Sequence, residues 1–230
     1  MCAKPFQAEG PLSSLTAFHP DSALFREAAG DTSRHSREML VRLWLTEGAP
    51  FAFRACPAIY EDVRGWLGSR LGVCPKEITL LGSARIGFSL APQPRYGRPF
   101  GSDSDLDLSI VSARLFQDVS ATFARWEADY RSGGISPLNP TERRYWEANV
   151  VFGHNNLPRG FFDVNKLPAR DRYPLIQQVT QAMWVLIEKL KVTPVAPKPS
   201  KASVRVYESW RALVARVSFN LHTALGGCAA

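Results

Sequence analysis

From Asp105 to Val111 the chain reads Asp-Leu-Asp-Leu-Ser-Ile-Val, with Leu106, Leu108 and Ile110 alternating against Asp105, Asp107 and Ser109. A period of two is that of a strand, so the aliphatic side chains share one face and both carboxylates project from the other. Asp is disfavoured in strands and is usually exposed. Two of them on one face of an otherwise apolar strand therefore predict a sheet with one packed face and one face given to chemistry.

Other segments supply the partners such a strand needs. Glu77-Ile78-Thr79-Leu80-Leu81 is short, apolar and β-branched, and it runs straight into Gly82-Ser83, which predicts a second, buried strand. Gly160–Val164 (GFFDV) has strand character and carries Asp163. Helical spacing begins at Ser33 with Met39, Leu40, Leu43 and Trp44, and Gly48 with Pro50 stops it. Pro57–Leu71 repeats Ile59, Val63, Trp66 and Leu67, with Pro57 suited to the first turn and Gly72 to the end. Further helices are predicted over Phe116–Tyr130, Pro174–Val192 and Val204–Leu225, while Trp146–Phe152 reads equally as helix or strand.

The Pro/Gly-rich stretch Ala91–Gly101 predicts a loop, and Thr193–Lys201 a Pro/Lys-rich linker. Residues before about Asp31 show no sustained period and predict a mostly coiled arm. The expected fold is α/β in the α+β sense, a small mixed twisted sheet with flanking helices and a C-terminal helical lobe. Its expected parts are an arm (1–32), a core (33–170) and a C-terminal helical region (171–230).

With 230 residues and 45% hydrophobic content the chain can bury a substantial core, which excludes a disulfide-stapled miniprotein. No apolar run reaches the roughly 18 residues of a membrane span, so no membrane partner is expected. The start MCAKPFQAEG lacks the apolar stretch of a secretory signal, and a cytoplasmic protein is expected. Cys2, Cys56, Cys74 and Cys228 are spread singly and read as free thiols, and the four histidines are equally isolated. Lys and Arg number 28 against 21 Asp and Glu, a net charge of +7 that suits an anionic partner.

Asp105 and Asp107 place two hard oxygen donors within reach of one divalent cation. Such ligands suit Mg²⁺ or Mn²⁺, with substrate phosphates completing the coordination shell. Gly82 lets the backbone approach a ligand closely, the Ser83 hydroxyl can donate to a phosphate oxygen, and Arg85 would stand beside the same anion. A neighbouring antiparallel strand would bring Asp163 beside the pair, and the alternative for it is a helix cap or a partner for Lys166. Three carboxylates of this kind support metal-assisted in-line displacement at phosphorus. Arg95, Arg98, Tyr96 and Phe100 read either as a clamp on the triphosphate or acceptor, or as a solvated loop. Asp103 reads as a loop residue, and Tyr207, Trp210 and Phe219 as core of the last helix.

GSARIG followed by SDLDLSIV resembles the DNA polymerase β-like nucleotidyltransferase superfamily, whose pattern is strand, Gly-Ser, loop, then Asp-hydrophobic-Asp on the next strand. The small bacterial and minimal members, including defence- and toxin-linked ones, look most similar, although the loop from Ser83 to Asp105 is longer here. The resemblance implies Asp105, Asp107 and Asp163 as catalytic and metal-binding residues, and Gly82, Ser83 and Arg85 at the nucleotide. Lys189 would be the basic residue on a following helix that contacts the triphosphate, although its place near a helix C-terminus fits the macrodipole without any ligand.

The implied reaction moves a nucleoside monophosphate from an NTP to an acceptor hydroxyl with Mg²⁺ or Mn²⁺, releasing pyrophosphate. The charge favours RNA, such as tRNA, or a protein as acceptor. A non-catalytic nucleotide-binding subunit, antitoxin-like and paired with a partner protein or with itself, is the alternative from another class. Synthesis of a signalling oligonucleotide is a third reading.

Overall fold

The computed structural model describes residues 10–30 and 32–226. Its sheet has four strands, β1 (Ile78–Leu81), β2 (Leu106–Val111), β3 (Phe161–Asp163) and β4 (Ala202–Tyr207), in the spatial order β1-β2-β4-β3. β1 runs antiparallel to β2, β2 parallel to β4, and β4 antiparallel to β3, so the sheet is mixed and the fold is α+β.

The alternation at 106–110 divides the sheet as its period requires. Ile78, Leu80, Leu106, Leu108, Ile110, Phe162, Val204 and Val206 are all buried in one cluster. Against them pack α3 (Pro57–Leu71), α5 (Ala113–Arg131) and α7 (Pro174–Val192), through Leu67, Val119, Phe123, Ile176 and Leu186 among others. Each such side chain, fully buried, stabilises the fold by about 1.5–3 kcal/mol. The opposite face is only partly covered. Val111, Phe161 and Tyr207 join a second cluster with α1 (Ser22–Gly30), α2 (Arg34–Leu40) and α8 (Trp210–Ala224), which leaves the acidic end of β2 open.

Several expectations hold and others are corrected. Pro57 begins α3 and Gly72 ends it at φ 65°, the left-handed C-cap in which glycine avoids a steric penalty. Ser33 caps α2, accepting from the Ser36 N–H, and the helix widens into a π-turn over Val41–Leu45. The ambiguous segment lies inside a helix, α6 (Pro140–Asn156), begun by Asn139 accepting from the Glu142 N–H at 2.9 Å.

The arm is not mostly coil: Asp21 accepts from the N–H groups of Ala23 and Leu24 and starts α1, which buries Phe25, Ala28 and Ala29. Residues 1–9 of that arm lie outside the described residues. The larger correction is at 202–207: the last helix, expected to begin at Val204, does not start there, and the segment forms β4, the strand between β2 and β3. A boundary at 170/171 therefore cuts through one sheet, and the chain beyond α7 forms one strand and one helix rather than a purely helical region. No helix among the described residues is long and apolar enough to cross a membrane.

Gly153 in α6 sits where a Cβ would come within 2.1 Å of the Phe123 ring. That ring is 3% exposed and wedged against Trp126, His154 and Phe162, so it has nowhere to move. Gly153→Ala is expected to lower stability by about 1–3 kcal/mol through overpacking, read as a reduced urea midpoint at unchanged slope.

Candidate active site

Gly82 follows β1 directly and opens the short helix α4 (Gly82–Ile86) at φ 64°. Register pairs Leu81 with Asp107, so the turn into α4 lies beside the acidic strand. A Cβ on Gly82 would stand 3.0 Å from Asp107 Oδ2, and glycine alone permits that approach at that backbone angle. Asp107 Oδ1 accepts from the Ser203 hydroxyl at 3.0 Å, across the parallel β2–β4 pairing. Asp105, in the turn ahead of β2, accepts from the Ser200 hydroxyl at 2.7 Å and pairs with Lys201 at 3.3 Å. Both carboxylates are thus oriented by the segment entering β4.

Asp107 reaches solvent, yet protein surrounds its carboxyl closely enough that desolvation raises its pKa above the usual carboxylate value. Asp105 and Asp163 push it the same way by charge repulsion, while the Ser203 hydroxyl and Arg205 oppose them.

Asp163 lies on the same face, but not beside the pair. β4 intervenes, and Asp163 is opposite Arg205, which is opposite Ser109, two residues beyond Asp107. Two strand spacings separate β2 from β3, about 9–10 Å. Arg205 Nε and Nη2 both donate to the Asp163 carboxylate, the second at 3.0 Å, in a forked ion pair. Its partner is therefore neither a helix N–H nor Lys166, whose ammonium lies over the Phe152 ring. Among the described residues no group of three His, Cys, Asp or Glu is close enough to hold a metal ion. The pair Asp105 and Asp107 is what remains as a possible ligand set.

A cleft of about 540 Å³ opens on this face, bounded by Gly82, Asp107 and Ser109 on one side and by Asp163, Arg205 and Arg216 on the other. Phe219 and Asn220 of α8, with Leu90–Pro92 of the long loop, complete its walls. Of the loop residues read as a clamp, none lines it. Tyr96 donates to the Ser22 carbonyl, Arg98 faces Asp103 at 3.9 Å, and Phe100 packs against the core. Phe219, expected in the core, is 48% exposed in the cleft wall, and Trp210 is also exposed. Tyr207 is buried as expected, but in β4.

Three of the expected nucleotide ligands stand outside the cleft wall. Arg85 is 1% exposed and donates to the carbonyls of Trp44 at 3.0 Å and Gly48 at 2.7 Å, binding α4 to the turn after the π-helical segment. Lys189 lies over the Trp66 ring of α3, because α7 covers the apolar face of the sheet. Ser83 is half-buried in the first turn of α4 and is not part of the cleft wall.

Ser203, Arg205 and Arg216, absent from the sequence-based set, supply the polar and cationic cleft groups instead. The alternation Ala202, Val204, Val206 against Ser203, Arg205, Tyr207 is a strand signal that could have located the first two, whereas nothing in the local sequence marks Arg216. No protein-family model, no curated protein and no solved structure matches this chain.

Two measurements check these assignments. Arg85→Ala leaves two carbonyls without their donor and is expected to cost about 2–4 kcal/mol in chemical denaturation. For Asp107, a raised folded-state pKa means the native state binds more protons than the unfolded chain just above the ordinary carboxylate value. Its contribution to stability therefore falls as pH rises through that window. Asp107→Asn, which can still accept from Ser203, is expected to raise the thermal midpoint at pH 7, with the gain fading as pH falls through that window and gone below about pH 4.

Proposed function

We propose that this cleft binds a nucleoside triphosphate and transfers its nucleoside monophosphate to an acceptor hydroxyl, releasing pyrophosphate. The observation that carries this reading is the Asp107 carboxylate closing on Gly82 at the mouth of a cleft that also holds two guanidinium groups. An acid pair for a cation, a backbone turn without a side chain, and positive charge beyond them are the features a polyphosphate needs.

In this reading Asp105 and Asp107 hold one Mg²⁺ or Mn²⁺. Two hard oxygen donors at adjacent alternating positions fit such an ion, and the repulsion that helps raise the Asp107 pKa is what a cation relieves. When bound, the ion neutralises phosphate charge and lowers the pKa of the attacking hydroxyl. Ser200 and Ser203 hold the carboxylates in orientation, Gly82 leaves room for phosphate oxygens, and Arg205 and Arg216 draw the anion inward. Asp163, with both oxygens engaged by Arg205, orients that guanidinium and is not assigned to the metal. The net charge of +7 supports an anionic polymer such as RNA as acceptor, with protein as the other candidate.

One observation favours a second reading. The Asp163–Arg205 pair takes the third carboxylate away from the other two, as a non-catalytic nucleotide-binding subunit would tolerate. Incubation with each labelled NTP, Mg²⁺ or Mn²⁺, and total tRNA or cell protein separates the two. Label transfer with pyrophosphate release is the expected result, and Asp105→Ala with Asp107→Ala should reduce it at least about 100-fold while the fold is retained. Nucleotide binding without pyrophosphate in every combination would establish the binding subunit instead.

A further inference from the structure

Beyond the carboxylates, at the β3 side of the same cleft, one buried and one half-buried side chain have hydrogen-bonding capacity that the protein leaves unused. Tyr207 is 0% exposed, and its hydroxyl has no hydrogen-bond partner. Arg205 is near enough to act on the phenol oxygen by charge and as a donor, but a guanidinium offers no acceptor, so the phenol's own O–H is what stays unused. Arg216, from α8, buries its Nε without a partner. The acid that acts on it, Asp163, is already engaged by Arg205.

Two rings cradle the Arg216 guanidinium, Phe161 at 4.9 Å and Phe219 at 5.6 Å from their centroids. Ring faces attract the cation and hold it in place, yet they offer no acceptor for its in-plane N–H groups. Buried donors are almost always satisfied in folded proteins, and a guanidinium stays charged at any physiological pH. A rigid cation and an unpaired hydroxyl lining one cleft therefore lack a shared acceptor carrying negative charge.

We infer that Arg216 and Tyr207 form an oxyanion subsite for a phosphate group, distinct from the Gly82–Asp107 end. Tyr207 lies four residues beyond Ser203, about 13 Å along β4, so a ligand at Asp107 does not occupy both ends with one phosphate. The subsite rests on these side chains whether or not the cleft transfers nucleotides. Its assignment to phosphate rather than carboxylate rests on the proposed function. The phosphate belongs to a substrate, either the acceptor, whose class is then a phosphorylated molecule, or the tail of the nucleotide.

Calorimetric titration of the full chain with inorganic phosphate at low salt tests this. Arg216→Gln is expected to weaken phosphate binding about 10-fold or more, and Tyr207→Phe, which removes only the hydroxyl, several-fold. Arg216→Lys should recover part of the affinity, which separates loss of the donor from loss of the fold. Lys189→Gln removes the same charge on the far side of the sheet and should change nothing. Phosphate bound equally by wild type and Arg216→Gln, or weakened as much by Lys189→Gln, overturns the subsite. Phosphate that still binds under saturating Mg·ATP identifies the acceptor's phosphate as the ligand, and displacement identifies the nucleotide tail. A failed transfer assay leaves this titration standing, and a flat titration leaves the transfer assay standing.

Discussion

The parallel pairing of β2 with β4 is the contact on which the rest of this molecule depends. It seats Val204 and Val206 beside Leu108 and Ile110 on the packed face. It also sets Ser203 against Asp107 and Arg205 against Ser109 on the open one. Because side chains alternate strictly, one register serves both faces, and a slip by a single residue would bury Arg205 and expose the valines. Core packing and the orientation of the acidic pair are thus enforced by the same set of main-chain hydrogen bonds.

The same pairing divides the charge of the cleft. With β4 between β2 and β3, the third carboxylate meets a guanidinium before it can meet the other two acids. The cleft acquires an acidic end at Asp107, with Asp105 just outside its wall, and a basic end at Arg205 and Arg216. Opposite signs in one partly desolvated space suit a ligand that brings a cation and anionic oxygens together, as a metal-bound polyphosphate does. On the proposed reading, the desolvation of Asp107 and the unpaired donors of Arg216 and Tyr207 are what a bound cation and a phosphate would relieve.

Legibility in the sequence depends on how local each signal is. β1, β2, α3 and α7 are readable because their apolar periods are uninterrupted and, except in β2, their ends carry Pro or Gly. α1 escapes because its buried stripe is only Phe25, Ala28 and Ala29, with Asp21 as its sole start signal. β4 escapes because six residues between a Pro/Lys-rich stretch and a long helix can be absorbed into either neighbour, although Ala202–Tyr207 alternates. Arg85 resembles a phosphate ligand by its distance from Gly82. The α4 turn instead carries its side chain inward to the carbonyls of Trp44 and Gly48, far back along the chain.

The sequence by itself determined the acidic and apolar faces of β2, the glycine turn beside them and the α+β character of the fold, since strand and helix periods and backbone freedom are local properties. Which groups would share the cleft was decided only by tertiary structure. Strand order placed Arg205 between the carboxylates, the covering of the apolar face took Lys189 out of reach, and α8 brought in Arg216. Those outcomes depend on which elements pack together over long sequence separations, and no local pattern encodes that.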